Sequence, residues 1–117
     1  MRTWKNIYTL IAVAAAVVSC RDVGGWTKAE RDLISAEGET MRVLTVCDRT
    51  DSLTLRAECS EINIVELKSD EYKILADKMV ATVTSPQEDG VGIAGPQVGI
   101  LRRIVAVQRF DRDGEPF

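Results

Sequence analysis

Four glycines fall within ten residues, at positions 90, 92, 95 and 99, in the run Gly-Val-Gly-Ile-Ala-Gly-Pro-Gln-Val-Gly. No other stretch restricts the chain as much. The first six residues match the G-x-G-x-x-G spacing that cradles a dinucleotide phosphate. Such a loop must follow a strand and open a helix. Here the order is reversed. Tyr72, Leu75, Ala76, Met79, Val80 and Val83 mark one face of a 3.6-residue period and predict a helix over 70–84, capped by Ser69 or Asp70. Lys73, Asp77, Lys78 and Thr82 take its wet side, and Ser85-Pro86 ends it, because the residue before a proline avoids the α region. After Gly95, Pro96 and Gly99 allow at most one further helical turn. Asp111 and Asp113 lie near the distance for a ribose acid, but without the helix that spacing means little. A nucleotide loop is therefore excluded.

What remains is a glycine-rich connection between a helix and a strand. Ile93, Ala94 and Val98 are interleaved with the glycines, so the segment can lie buried and extended with bare peptide groups facing a cleft. An extended peptide can pair with such a backbone as an added strand. Gln97 carries amide N–H groups able to point at a developing oxyanion. Downstream, Ile104–Val107 reads as a buried strand. Asp111-Arg112-Asp113-Gly114 reads as a turn, with Asp-Gly a strong hairpin signal, so a second strand is expected to follow. Upstream, the β-branched residues of 41–47 suggest a strand, Asp48–Ser52 a turn, and Ile62, Ile64, Val65 and Leu67 an extended cluster. The pattern is α+β: one amphipathic helix packed on antiparallel strands.

The first nineteen residues are of a different kind. They contain no acid; Arg2 and Lys5 precede an apolar run from Ile7 to Val18. A run of about 12 residues is short for a membrane span but fits the core of a secretory signal peptide. Val17-Val18-Ser19-Cys20 resembles the lipobox of bacterial lipoproteins, which implies cleavage before Cys20 and a lipid on its sulfur. Ordinary cleavage after Ala16 is the alternative. A lipid on Cys20 would anchor an exported protein to a membrane without spanning it. Residues 20–40 read as a tether. Within them, Thr27-Lys28-Ala29-Glu30 is a capping-box pattern. It suggests a short helix ending by Gly38, with a polar linker the equal alternative. Trp26 is left between contact with the membrane interface and packing on the domain.

Charge and cysteine content narrow the rest. The formal net charge is −3, which argues against a general nucleic-acid surface, and Arg102-Arg103 is too short for a basic patch. Histidine is absent, which removes the commonest general base and metal ligand. Cys20, Cys47 and Cys59 form neither a disulfide framework nor a four-ligand zinc site; Cys47 and Cys59 read as separate thiols, with a disulfide between them the alternative in an exported chain. Asp77, Glu88 and Asp89 read as solvated helix and turn positions.

Residues 90–99 closely resemble the first signature motif of the peptide deformylases, G-Φ-G-Φ-A-A-x-Q-x-G, where Φ is aliphatic. The preceding helix and the strand Arg103–Val107 are also similar, so the resemblance covers about 41–117. Gly95 departs from it, standing where the family usually has alanine. The resemblance implies an α+β fold and hydrolytic removal of the formyl group from N-formylmethionyl peptides with a divalent metal, iron or zinc. It assigns Gln97 to the formyl oxyanion and the backbone of Val91 and Gly92 to the substrate peptide. The family's metal ligands come from an E-G-C-x-S motif and an H-E-x-x-H helix. Neither occurs here, and Cys47 and Cys59 precede the first motif. The sequence thus reads as an incomplete deformylase domain over 41–117, without its metal and inactive by itself. The alternative is a non-catalytic, exported lipoprotein module that binds an extended peptide.

The leader generates its own test. Cells fed a labelled fatty acid should incorporate label into the wild-type protein and lose it entirely in Cys20→Ala; equal labelling of the two would refute the anchor.

Overall fold

The computed structural model describes residues 25–117. The leader of residues 1–19 and the lipobox cysteine Cys20 lie outside the described residues. No helix among those described is long and apolar enough to cross a membrane.

Each helix starts at a residue whose side chain accepts an otherwise orphaned backbone N–H. Thr27 caps α1 (Lys28–Ser35), Asp48 caps α2 (Arg49–Leu55), Asn63 caps α3 (Ile64–Leu67) and Ser69 caps α4 (Asp70–Val83). At α1 and α3 the bond is reciprocal: the carboxylates of Glu30 and Glu66 accept the N–H of Thr27 and Asn63, each at 2.8 Å.

Capping accounts for two departures from the sequence expectation. Asp48–Ser52, expected as a turn, begins α2 because Asp48 takes the Asp51 N–H at 2.9 Å. The cluster Ile62–Leu67, expected to be extended, enters α3 because the Asn63–Glu66 box satisfies a helical first turn despite β-branched Ile64 and Val65. A third departure lies at 41–47, expected as a strand. These residues have no ladder partner and no regular structure; separate hydrogen bonds to α4, α2 and the glycine segment hold them.

The long helix α4 forms where its periodicity predicts. Leu75, Met79 and Val83 stack on one buried face. Thr82, expected on the wet side, is buried. Its hydroxyl donates to the Lys78 carbonyl at 2.6 Å and accepts the Met41 N–H at 2.8 Å, so a polar group sits in the core without an unmet bond. Against this face pack Trp26, Ile34, Ile93, Val98 and Ile100. Trp26 and Ile34 belong to the stretch expected to be a tether; both are core residues, and the Trp26 indole N–H donates to Ser69 Oγ at 2.8 Å.

Two short antiparallel strands complete the α+β fold. β1 (Gly92–Ala94) pairs with β2 (Val105–Val107), with Gly92 opposite Val107 and Ala94 opposite Val105. Ile104 and Ala106 face the core, whereas Val105 and Val107 are 67% and 57% exposed. The strand expected to be buried is therefore half-buried, because the described residues cover only one face of this ribbon. The Asp111–Gly114 turn forms, with Gly114 at φ 77° and the Arg109 N–H donating to the Pro116 carbonyl at 2.7 Å. No second strand follows it among the described residues.

Arg102 joins these parts. Its Nε donates to Glu30 Oε1 at 2.7 Å. One terminal nitrogen reaches Glu66 Oε1 at 2.9 Å and the Glu61 carbonyl at 3.1 Å. The other reaches Glu30 Oε2 at 3.0 Å and the Gly25 carbonyl at 3.2 Å. All five guanidinium donors are thus used. The guanidinium also lies 5.3 Å from the Trp26 ring centroid, within cation–π range. Burial pushes the Glu30 carboxyl up, but the Arg102 hydrogen bond, the Thr27 N–H and the Arg102 charge together hold it below its ordinary 4.5.

Arg102→Ala leaves two carboxylates buried without their cation and should cost about 3–5 kcal/mol, read as a lower urea midpoint. The contribution of Glu30 is complete above its ordinary value and disappears as pH falls through its lowered folded-state value. The wild-type melting temperature should therefore hold steady above pH 4.5 and fall below it, and Arg102→Ala should lose most of the part of that fall due to Glu30.

Candidate functional site

The glycine segment leaves α4 through a tight turn. The Gly90 N–H donates to the Val83 carbonyl at 2.8 Å, and Asp89 adopts φ 41°. A Cβ on Gly90 would press on Val83 Cγ2 at 2.9 Å, so the helix end itself requires this glycine. β1 follows, then a single 3₁₀ turn, Gly95–Val98, and Gly99 at φ 82°. One 3₁₀ turn instead of an α-helix after the glycines agrees with the exclusion of a dinucleotide loop.

Two bonds flank the β1–β2 ladder: Gln108 N–H to the Val91 carbonyl and Gly95 N–H to the Ile104 carbonyl, both at 2.9 Å. Antiparallel pairs alternate, so Ile93 is the residue bonded to Ala106, and the peptide groups of Gly92 and Ala94 face away from β2. Of the two residues assigned to substrate by resemblance, Val91 thus has its carbonyl tied to β2, whereas Gly92 presents its backbone on the open edge.

The glycines differ in what demands them. A Cβ on Gly95 would lie 2.7 Å from the Ile100 carbonyl oxygen, 2.8 Å from that of Arg102 and 2.8 Å from Ile104 Cγ2. The chain folds back so closely over Gly95 that the methyl of the usual family pattern has no room. At Gly92 a Cβ would meet only the Ala106 carbonyl at 3.5 Å and Val107 Cγ2 at 3.8 Å, ordinary contacts. The fold does not need glycine there; what its absence of a side chain leaves is an accessible backbone edge.

Gln97 sits on the 3₁₀ turn with its side chain exposed. Its Oε1 accepts the Ala94 N–H at 2.8 Å, and its main-chain carbonyl accepts the Leu44 N–H at 2.8 Å. Bonding through Oε1 turns the amide NH₂ outward, and no acceptor among the described residues meets it. The structure therefore sets an outward amide donor and the open Gly92 peptide on the two ends of one short segment.

The other candidates are dispersed. Cys47 and Cys59 are both free, the first exposed and the second half-buried. Asp77, Glu88 and Asp89 are exposed. Sequence reasoning missed Asp51, Glu66 and Arg102, three buried charged residues. The Asn63-x-x-Glu66 spacing is a capping-box signal that would have found Glu66; Arg102 carries no local signal, since its partners lie up to 77 positions away. A divalent metal finds no ligand set among the described residues. The sequence has no histidine, and no group of three potential ligands among the described residues could hold an ion.

Comparison with known proteins identifies the family. The polypeptide deformylase family model matches residues 41–117. Peptide deformylase 1 of Clostridium perfringens (strain 13 / Type A) is 39% identical over 64 residues, which are 55% of this chain and 40% of that relative. The match spans the glycine segment and its glutamine and marks a deformylase-type domain. The chain belongs to the polypeptide deformylase family. It spans less than half the length of the curated relative it matches.

The Gly95 geometry is directly testable. Gly95→Ala forces the 100–104 segment to shift and should destabilise the fold by about 1–3 kcal/mol, the usual range for overpacking. A chemical-denaturation midpoint equal to wild type would show that the segment has slack.

Proposed function

We propose that this chain carries the peptide-holding part of a peptide deformylase. An N-formylmethionyl peptide lies extended along the open edge of β1, bonded to the Gly92 backbone, and its formyl oxygen points at the Gln97 amide. Hydrolysis of a formyl amide passes through a tetrahedral carbon whose oxygen gains negative charge, and a fixed N–H donor at that oxygen stabilises it. The observation that carries this reading is the outward amide of Gln97, turned by the Ala94 bond on the same segment that leaves Gly92 bare where packing would admit a side chain. Family membership supports the substrate class. Anchoring of the exported protein through a lipid on Cys20 belongs to the same proposal and rests on the Val17–Cys20 pattern.

Among the described residues no group of three ligands could hold a metal, and the sequence has no histidine to serve as a base. This favours a second reading, a non-catalytic lipoprotein module that holds an extended peptide. Formyl dependence separates the two. Titrating ¹⁵N-labelled protein with formyl-Met-Ala-Ser should shift the Gly92 amide and the Gln97 side-chain NH₂. Gln97→Leu should weaken binding about 5–50-fold, the loss of one hydrogen bond to the partially charged formyl oxygen. The des-formyl peptide should bind worse than the formyl peptide if the deformylase reading holds, and equally well if the module merely pairs with backbone.

A further inference from the structure

The Gln97 turn is held from a direction that the glycine motif does not reveal. Its carbonyl accepts the N–H of Leu44, in the segment 41–45 that has no strand partner. A stretch of irregular backbone makes a poor anchor unless it is itself fixed, and here it is fixed on both sides of Leu44. On one side, the Met41 N–H donates to the buried Thr82 hydroxyl of α4 at 2.8 Å. On the other, the buried Asp51 carboxylate of α2 accepts the Thr45 N–H at 3.1 Å and two bonds from Arg42, at 3.0 and 2.6 Å. Asp51 is held in turn by the Asp48 cap at its own N–H.

We propose that Asp51 and Thr82 are positioning residues for Gln97, acting through the two ends of the 41–45 segment; the proposal rests on the reading of Gln97 as the donor to the formyl oxygen. Neither residue touches the proposed peptide. Together they fix Leu44, Leu44 fixes the carbonyl of Gln97, and the Ala94 bond then sets the direction of the Gln97 amide. The arrangement also gives two polar side chains a reason to be buried at these points. Thr82 is 2% and Asp51 5% exposed, and every side-chain bond of each is directed at the segment or at its own helix, with none left unmet. Asp51, Arg42, Leu44, Val98 and Gly99 also line a cavity of about 420 Å³ behind the turn, so no packed wall from the core would replace the clamp if it were lost.

The test uses the full chain labelled with ¹⁵N, and Asp51→Ala, Asp51→Asn and Thr82→Val. In Asp51→Ala and Thr82→Val the Leu44 and Ala94 amides should exchange at least tenfold faster than in wild type, and the Gln97 side-chain NH₂ should move toward the position of a free amide. Exchange at the centre of α4 should stay protected. Asp51→Asn keeps an acceptor for Thr45 and should restore most of the Gln97 signal. The dissociation constant for formyl-Met-Ala-Ser should rise about tenfold in Asp51→Ala and return with Asp51→Asn. If Asp51→Ala fails to fold, Thr82→Val carries the loss from the other end of the segment, with Asp51→Asn as the folded control. Folded Asp51→Ala or Thr82→Val protein whose Gln97 side-chain and Ala94 signals match wild type overturns the proposal. A wild type that binds no formyl peptide while the variants still release Gln97 refutes the functional reading and leaves the clamp established.

Discussion

The structure depends on one cation. Arg102 lies just past the glycine segment, yet its five donors end on α1, on α3 and on the carbonyls before each of them. The two carboxylates it meets are already committed to capping. Glu30 closes the first turn of α1 and Glu66 that of α3, so each acid serves a helix start and the central ion pair at once. A buried ion pair is weak evidence for net stability, because desolvation opposes the Coulomb gain. Its consequence here is geometric. Five directed bonds and the Trp26 ring admit one placement of α1 against the segment that follows the motif, and an apolar side chain at 102 would leave that placement open.

This also decides what residues 25–36 are. The family match begins at residue 41, but the core does not. Trp26 and Ile34 are buried against α4 and the glycine segment, and the Lys78 ammonium donates to the Ala36 carbonyl at the end of α1. A helix of 8 residues is too short to persist alone in water and needs tertiary support. Here the support is α4 on one side and Arg102 on the other. The stretch that sequence composition suggests is a spacer is thus part of the packed unit that backs the site.

Legibility followed the range of the interaction. The period of α4 was readable because a buried face repeats within the helix, and the capping box at Thr27–Glu30 because its partners are three residues apart. The glycine segment was readable as a whole, since glycines, proline and glutamine at fixed spacing restrict the backbone locally. Thr82 was misplaced because its hydroxyl looks polar in a periodic pattern; its partner, the Met41 N–H, is 41 positions away. Segment 41–47 looked like a strand because β-branched residues favour extended backbone, but whether extended backbone becomes a strand depends on a neighbour that no local pattern shows. Arg102 was the hardest of all. A single arginine beside another carries no periodicity, and its meaning lies wholly in the residues that the fold brings to it.

The site divides along the same line. Gly92 and Gln97 stand in the motif and can be named from it, but what makes Gln97 a directed donor is not in the motif. An amide side chain on an exposed turn samples several rotamers, and a donor stabilises developing charge well only when it need not reorganise. The Ala94 bond removes the freedom of the side chain. The Leu44 bond removes that of the main chain beneath it. The first is local and belongs to the glycine segment. The second is carried by residues some fifty positions upstream, anchored on α4 and α2. In the proposed site the glycine segment therefore supplies the chemical groups, and the irregular 41–45 segment would supply their rigidity. A strand there would have saturated its own backbone in a ladder; an unpaired segment has N–H groups free to hold something else, and in this chain one of them holds the turn that bears Gln97.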